Sequence, residues 1–262
     1  MKSRYCLIGR GINYSFSPLL HSEIFSVYSI DATYEIMNLE ENHLKEVIEK
    51  LRSGEISGIN VTIPYKEKIM KYLDELTPEA SEIGAVNTVS KRDGKLIGHN
   101  TDYYGFKGTL ERMKLSCRGK TAVVLGTGGA AKACVKVLKD LGAKIILVSR
   151  NPQESKSIFP ELEIISYEDL ESISGYLIVN STPVGTSPNI EDSPVSQRVV
   201  ENFDFAIDLI YNPKITKFLS FSRHCSNGFY MLVAQGVKAE EIWQNIPMDA
   251  HKIYDLLENK IY

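Results

Sequence analysis

The sequence predicts an α/β protein of two domains: an N-terminal α/β domain and a Rossmann-type dinucleotide-binding domain. Three observations carry this. Strand-like and helix-like segments alternate almost throughout, the pattern of mostly parallel sheets covered by helices. A glycine-rich turn, "VVLGTGGAA", separates an apolar strand from a helix near the middle of the chain. At 262 residues, the chain is long enough for two modest domains, each with its own core. The expected division is 1–103, completed by 237–262, and 104–236, with a cleft between the two.

Taken in order, "YCLIG" (5–9) is an apolar strand ended by glycine. "NYSFSPLLHSEIFSVY" follows as a helix, with Ser17 as its expected N-cap and Pro18 at the first helical position. "ATYEIMNL" alternates as a strand, "HLKEVIEKLRSG" is a helix closed by Gly54, and "ISGINVTIP" is the next strand. "KEKIMKYLDEL" has helical spacing, and "RDG" between two apolar runs is a hairpin turn. "YYGFKGTLERM" predicts a connecting helix leading to the strand–turn–helix–strand unit "KTAVVLGTGGAAKACVKVLKDLGAKIILVSR". Shorter strands are expected at "LEIIS", "GYLIVNST" and "FDFAIDLI". From about 229 the spacing is helical again, first through Leu232, Val233, Val237, Ile242 and Trp243, then through Ile253, Leu256 and Leu257.

Composition excludes several classes. Apolar (43%) and charged (24%) content are ordinary for a globular protein, so disorder is not expected. A net charge of −3 without a dense Lys/Arg run argues against a nucleic-acid partner. No stretch approaches the roughly 18–20 consecutive apolar residues of a membrane span, and "MKSRYCLIG" has too short an apolar run for a signal peptide. Cys6, Cys117, Cys134 and Cys225 are far apart with no C-x-x-C, which suits a reduced cytoplasm. With no H-E-x-x-H either, no metal is expected.

In the glycine-rich turn, Gly126, Gly128 and Ala131 fill the G-x-G-x-x-G/A pattern in its proper context, strand before and helix after. Gly126 permits the turn, Gly128 lets backbone approach a pyrophosphate, and Ala131 allows close helix–strand packing. The helix N-terminus favours the phosphates; the plain alternative is a tight βα turn with no ligand. An NAD site usually carries Asp or Glu at the end of the next strand, but here it ends "LVSRN". Arg150 can pair with a 2′-phosphate, so NADP is favoured over NAD, the alternative being a surface arginine at a strand end.

The first domain places small polar residues at strand and loop ends: "SFS" (Ser15, Ser17), "NVT" (Asn60, Thr62), "VNT" (Asn87) and "NTD" (Asn100, Thr101, Asp102). Singly these are caps and edge residues. Together they describe a concave site rich in hydroxyls and amides, suited to a polyhydroxylated ligand. Lys66 and Asp102 alone among them form an acid–base pair, able to move a proton on oxygen as hydride moves at the attached carbon. A surface salt bridge is the competing reading.

The chain resembles the shikimate dehydrogenase family over nearly its whole length. The resemblance lies in "SFSP" (15–18), "GINVTIPYK" (58–66), "GAVNT" (84–88), "NTD" (100–102), "GTGGAA" (126–131), "SRN" (149–151), "NST" (180–182), "DLIY" (208–211) and "GFYMLVAQG" (228–236). It implies reversible NADPH-dependent reduction of 3-dehydroshikimate to shikimate, on the route to aromatic amino acids. It also implies a substrate domain and a Rossmann domain, with C-terminal helices packing back on the former. Residue by residue, Ser15 and Ser17 would bind the substrate carboxylate, with Tyr211 nearby. Asn60, Thr62, Asn87, Asp102 and Gln235 would bond the ring hydroxyls, and Lys66 would be the acid–base residue. Gly126, Thr127, Gly128, Gly129 and Ala130 would hold the pyrophosphate, Ser149, Arg150 and Asn151 the 2′-phosphate end, and Leu209 and Gly228 the nicotinamide.

Three places depart from the family pattern. Ser149, Arg150 and Asn151 stand where Asn-Arg-Thr is usual, with Glu154 following; Thr186 replaces a common Met after Gly185; and the stretch between Thr216 and Gly228 is short, so one strand is expected to be curtailed. Beyond the small-molecule substrate, the partner expectation is a monomer or homodimer. The competing functions are a quinate/shikimate dehydrogenase relaxed for cofactor and a non-catalytic NADP-binding sensor.

Overall fold

The computed structural model describes residues 2–12 and 15–261, and the chain divides into two compact units. The first is Met1–Gly105 with Leu232–Tyr262, and the second is Phe106–Met231. The divisions at 105/106 and 231/232, against the expected 103/104 and 236/237, put Gln235 in the first unit.

The first unit is built on a six-stranded mixed sheet. Its strands are β1 (Ser3–Gly9), β2 (Ala32–Asn38), β3 (Gly58–Val61), β4 (Glu75–Leu76), β5 (Thr88–Arg92) and β6 (Lys95–His99), in the order β2-β1-β3-β5-β6-β4. The crossovers α1 (Ser17–Tyr28) and α2 (Leu44–Ser53) let β2, β1 and β3 run parallel. β5 and β6 form the hairpin expected from "RDG", where Asp93 (φ 51°) and Gly94 (φ 78°) are both left-handed. In α2, Leu44, Val47, Ile48 and Leu51 fall on one face and meet Ile8, Ile59, Val61, Val89 and Leu96 of the sheet. Each fully buried side chain of this kind contributes about 1.5–3 kcal/mol.

Two local expectations are corrected. Phe16, not Ser17, is the N-cap of α1, so Ser17 is its first helical residue. The stretch expected as a helix from Lys66 onward instead forms one 3-10 turn, Lys68–Tyr72, followed by β4. Sheet pairing wins there: the Asp74 and Thr77 N–H groups donate to Leu96 and Gly98 carbonyls, while Ile69 is fully buried in the core. Helix α3 (Pro78–Ile83) then leads to the hairpin.

The chain's last helices, α9 (Phe229–Gln244) and α10 (Ala250–Ile261), complete this unit from residue 232 on. Trp243 stacks on Tyr5 at 4.6 Å and donates its indole N–H to the Val89 carbonyl (3.0 Å). Lys260 of α10 pairs with Glu23 of α1.

Helix α4 (Thr101–Arg112) leads into the second unit, whose sheet is wholly parallel. Its elements are β7 (Thr121–Leu125), α5 (Gly129–Asp140), β8 (Lys144–Val148), α6 (Pro152–Ile158), β9 (Glu163–Ile165), β10 (Gly175–Asn180), α7 (Gln197–Val200), β11 (Phe203–Asp208), α8 (Lys217–Ser220) and β12 (Cys225–Ser226). The order β12-β11-β10-β7-β8-β9 is the doubly wound nucleotide-binding order, reversing between β7 and β10. β12 has only two residues, in keeping with the short stretch between Thr216 and Gly228. No helix among the described residues is long and apolar enough to cross a membrane.

Gly58 of β3 lies under Trp243, and a Cβ there would come within 2.4 Å of the indole nitrogen. Gly58→Ala is therefore expected to displace Trp243 and destabilise the first unit by about 1–3 kcal/mol. Trp243 is the chain's one tryptophan, so its fluorescence in a denaturant titration reads this directly. An unchanged midpoint would show that the indole moves aside at no cost.

Candidate active site

In the first unit the polar residues gather where β3 ends, β5 begins and α4 starts. β3 ends at Val61, and Thr62 continues beside Gly9, where a Cβ would meet the Thr62 methyl at 2.7 Å. A turn follows in which Tyr65 is buried, its N–H donating to Thr62 O (2.9 Å) and its hydroxyl to Leu39 O (2.7 Å). The Lys66 carbonyl accepts from Val86 N–H at 2.8 Å, fixing the backbone from which the lysine projects.

Lys66 Nζ donates to Asp102 Oδ2 at 2.5 Å, with side-chain exposures of 19% and 11%. This is a shielded pair rather than a surface salt bridge. Asp102 lies in the first turn of α4, where the helix field favours a carboxylate. Its other oxygen accepts from Asn87 Nδ2 at 2.9 Å. The Asn87 amide also donates to Thr101 Oγ1 (3.0 Å), and its oxygen accepts from Thr101 N–H (2.6 Å). Asn100 shapes the same helix start, accepting from Tyr103 N–H and donating to Ala85 O.

Gln235 of α9 accepts from Thr101 Oγ1 at 3.4 Å and donates to Leu232 O. At the start of α1, Ser15 Oγ donates to Ser17 Oγ at 3.1 Å. The Thr62 hydroxyl has no hydrogen-bond partner among the described residues, and Lys66 has Asp102 alone, leaving two ammonium N–H bonds for a ligand.

Asn60 is buried, with Nδ2 donating to Thr88 Oγ1 (2.9 Å) and Asn87 O (3.2 Å) and Oδ1 accepting from Tyr34 OH (2.7 Å). Both its donors are committed internally, so it fixes the neighbouring strand. Sequence reasoning missed Tyr34 and Thr88 as members of this network. "NTD" pointed to Thr101, but nothing in "ATYEIMNL" marks Tyr34.

In the second unit the glycine-rich turn follows β7 at the order reversal. Gly126 has φ +96°, open to glycine at little cost, and a Cβ there would strike the Thr182 methyl at 2.9 Å. Gly128 meets nothing within 4 Å of a built Cβ, leaving bare backbone at the N-terminus of α5. That helix has no side-chain cap and no acid in its first turn, and its own Ala131 is buried. These features, with Thr127, Gly129 and Ala130 completing the turn, fit a dinucleotide pyrophosphate.

Past β8, Arg150 and Asn151 are exposed and can meet the 2′-phosphate end. Ser149 is buried, sharing a hydrogen bond with Ser155 Oγ (2.7 Å) and accepting from Asn151 N–H (3.0 Å). It shapes the turn that presents Arg150. Asn151 donates to Glu154 at 3.4 Å, which keeps that carboxylate near the strand end.

The segment after β11 is held by Asp208, which sequence reasoning also missed. Its carboxylate accepts from Asn180 Nδ2 (3.0 Å), Ile210 N–H (3.0 Å) and Thr216 OH (2.6 Å). Leu209 and Tyr211, both half-buried, flank that anchor. At Gly228 a Cβ would lie 2.0 Å from Leu209 O, so its glycine permits backbone contact with the Leu209 segment.

A fully parallel sheet of this order, with bare backbone at its reversal point, makes this a Rossmann-type dinucleotide-binding protein. The paired lysine and carboxylate of the other unit add acid–base capacity, as an oxidoreductase acting on an alcohol requires.

Comparison with known proteins narrows the class. Residues 7–89 match the family model described as the shikimate dehydrogenase substrate binding domain. A shikimate dehydrogenase (NADP(+)) of Clostridium beijerinckii is 41% identical over 98% of each chain. The crystal structure of a chorismate mutase/shikimate 5-dehydrogenase fusion protein from Clostridium acetobutylicum shares 40% identity at TM-score 0.97, covering 100% of this chain and 99% of that one. A shikimate 5-dehydrogenase from Thermus thermophilus, solved with NADP(H) and shikimate, shares 30% identity at TM-score 0.87 over 97% of each chain. The chain belongs to the shikimate dehydrogenase family.

Burial drives two side chains in opposite directions. Asp208 is pushed up to about 6. The folded second unit therefore holds a proton that the unfolded chain releases near ~4. On this account its stability falls as pH rises from ~4 to about 6 and is level above that. Desolvation draws His99, whose Nε2 contacts Ser90 Oγ, down to about 4. The unfolded chain gains that proton near ~6.5, so the first unit weakens as pH falls from there towards about 4. NMR titration of the two side chains checks both; midpoints at ordinary values would overturn the burial argument.

Proposed function

We propose that this chain is an NADP-dependent shikimate dehydrogenase that reversibly reduces 3-dehydroshikimate to shikimate, a step towards aromatic amino acids. The Lys66–Asp102 contact at 2.5 Å carries the reading, because it joins an acid–base group to a pocket of hydroxyls and amides. Bound NADPH supplies the hydride.

As the substrate carbonyl becomes an alcohol, its oxygen gains negative charge and needs a proton. The Lys66 ammonium gives that proton, and in the oxidative direction the lysine takes it back. Asp102 orients the lysine, and Asn87 holds Asp102 in turn. Ser15 and Ser17 are assigned to the substrate carboxylate, with Tyr211 near it; Asn60, Thr62, Asn87, Asp102 and Gln235 are assigned to the ring hydroxyls. An anion held by hydroxyls keeps other cations away from Lys66.

On the cofactor side, the turn 126–130 is assigned to the pyrophosphate, Arg150 and Asn151 to the 2′-phosphate, and Leu209 with the Gly228 backbone to the nicotinamide. All four cysteines are thiols, which supports a reducing, cytoplasmic setting.

A spectrophotometric assay of shikimate and quinate against NADP and NAD tests the reading. Turnover is expected with shikimate and NADP; no shikimate-dependent reduction would leave a dinucleotide-binding sensor, and equal use of quinate and NAD would mark a relaxed enzyme. Lys66→Ala is expected to lower kcat by about 10²–10⁴-fold with far less change in KM. An unchanged kcat would remove Lys66 from the proton step. Arg150→Ala is expected to weaken NADPH binding about tenfold or more while sparing NADH, since a charged hydrogen bond contributes about 1.5–3 kcal/mol. Equal losses for both would reassign Arg150.

A further inference from the structure

We propose that His21 and Glu240 are positioning residues for the substrate site, a buried couple that sets the Ser17 and Tyr34 side chains and holds α1 to α9. His21 Nδ1 and Glu240 Oε1 are 2.6 Å apart, and both side chains have zero exposure. The other Glu240 oxygen accepts from Gln244 Nε2 at 3.0 Å, and that amide also donates to Tyr5 OH. His21 Nε2 is buried without a partner. A proton there would be an unsatisfied donor, so the network assigns the ring proton to Nδ1, facing the carboxylate.

Burying an ionisable pair contributes little to stability by itself, because desolvation offsets most of the attraction. Its geometry points elsewhere. The His21 ring lies flat on Tyr34, with centroids 3.8 Å apart and planes 6° from parallel. The Tyr34 hydroxyl donates to Asn60 Oδ1. Ser17 and His21 are four residues apart on α1, one turn from each other. Glu240 is five residues beyond Gln235 on α9.

The two helices also meet closely at Gly236, where a Cβ would lie 2.5 Å from Leu20 Cδ2 and 3.7 Å from His21 Nε2. The couple thus spans the helix bearing Ser17 and the helix bearing Gln235. It fixes the tilt of the ring on which Tyr34 rests.

The proposal rests on the assignment of Ser17 and Gln235 to shikimate, so wild-type turnover of shikimate with NADP is measured first and tests that reading separately. Glu240→Leu removes the acceptor while keeping apolar bulk. It is expected to raise KM for shikimate about tenfold or more and leave KM for NADP within about twofold. Glu240→Asp keeps the charge but withdraws it by one methylene, and is expected to shift KM for shikimate the same way by a smaller factor. It serves alone if circular dichroism shows that the leucine variant does not fold. Glu240→Gln keeps the reach and an acceptor for Nδ1–H, and is expected to rescue most of the loss. Unchanged KM for shikimate in the folded leucine or aspartate variant overturns the proposal. So does a parallel rise in both KM values, which marks a general loss of fold.

Discussion

Three stretches distant in sequence, around residues 60, 87 and 101, meet on one side chain and one carbonyl of Asn87. Its carbonyl takes the Val61 N–H and the Asn60 amide, and its side chain takes the Thr101 N–H and gives to Asp102. An amide has two donors and one acceptor oxygen, and this residue uses all of them while being almost fully buried. The position of Asp102 depends on it, and through Asp102 so does the direction of the Lys66 ammonium. Removing such a group leaves several buried partners unpaired at once, which makes the network cooperative rather than a sum of contacts.

A second anchor of the same kind stands in the Rossmann unit. Asp208 ties Asn180 at the end of β10 to Ile210 and Thr216 beyond β11, and it is buried as completely as the core leucines. Both anchors are small polar residues at strand ends, Asn87 just before β5 and Asp208 at the close of β11, where the backbone enters or leaves the sheet and needs replacement hydrogen bonds. Each defines a loop without adding an exposed charge. The pocket of the first unit can therefore remain almost neutral apart from the one pair that handles protons.

The architecture was legible because its signals are periodic: the apolar stripe of α2, the "RDG" hairpin and the glycine turn each have a local cause. Lys66 and Asp102 could be paired only by weighing motifs together, and the structure places them in contact. Local pattern failed where tertiary pairing overrode it. Residues 66–76 have helical spacing, yet from Asp74 on the edge of the sheet captured the backbone and left only a 3-10 turn before it. For Asn60 and Ser149 it was silent, because a polar residue beside a site gives no sign of the inward hydrogen bonds that both make. Tyr34, His21 and Glu240 left no trace, since residues 21 and 240 come together only through the fold.

That meeting of distant residues has a consequence for synthesis. The Rossmann unit is one continuous stretch, Phe106–Met231, and all of it has been synthesised before Trp243 is added. The first unit begins earlier but waits longer, because Tyr5 has no indole to stack on and His21 no carboxylate to face until the end of α9 emerges. Domains generally fold as units during translation. Here the order of completion is inverted: the nucleotide-binding half is finished first, and the half that carries Lys66 spends elongation with its core partly open.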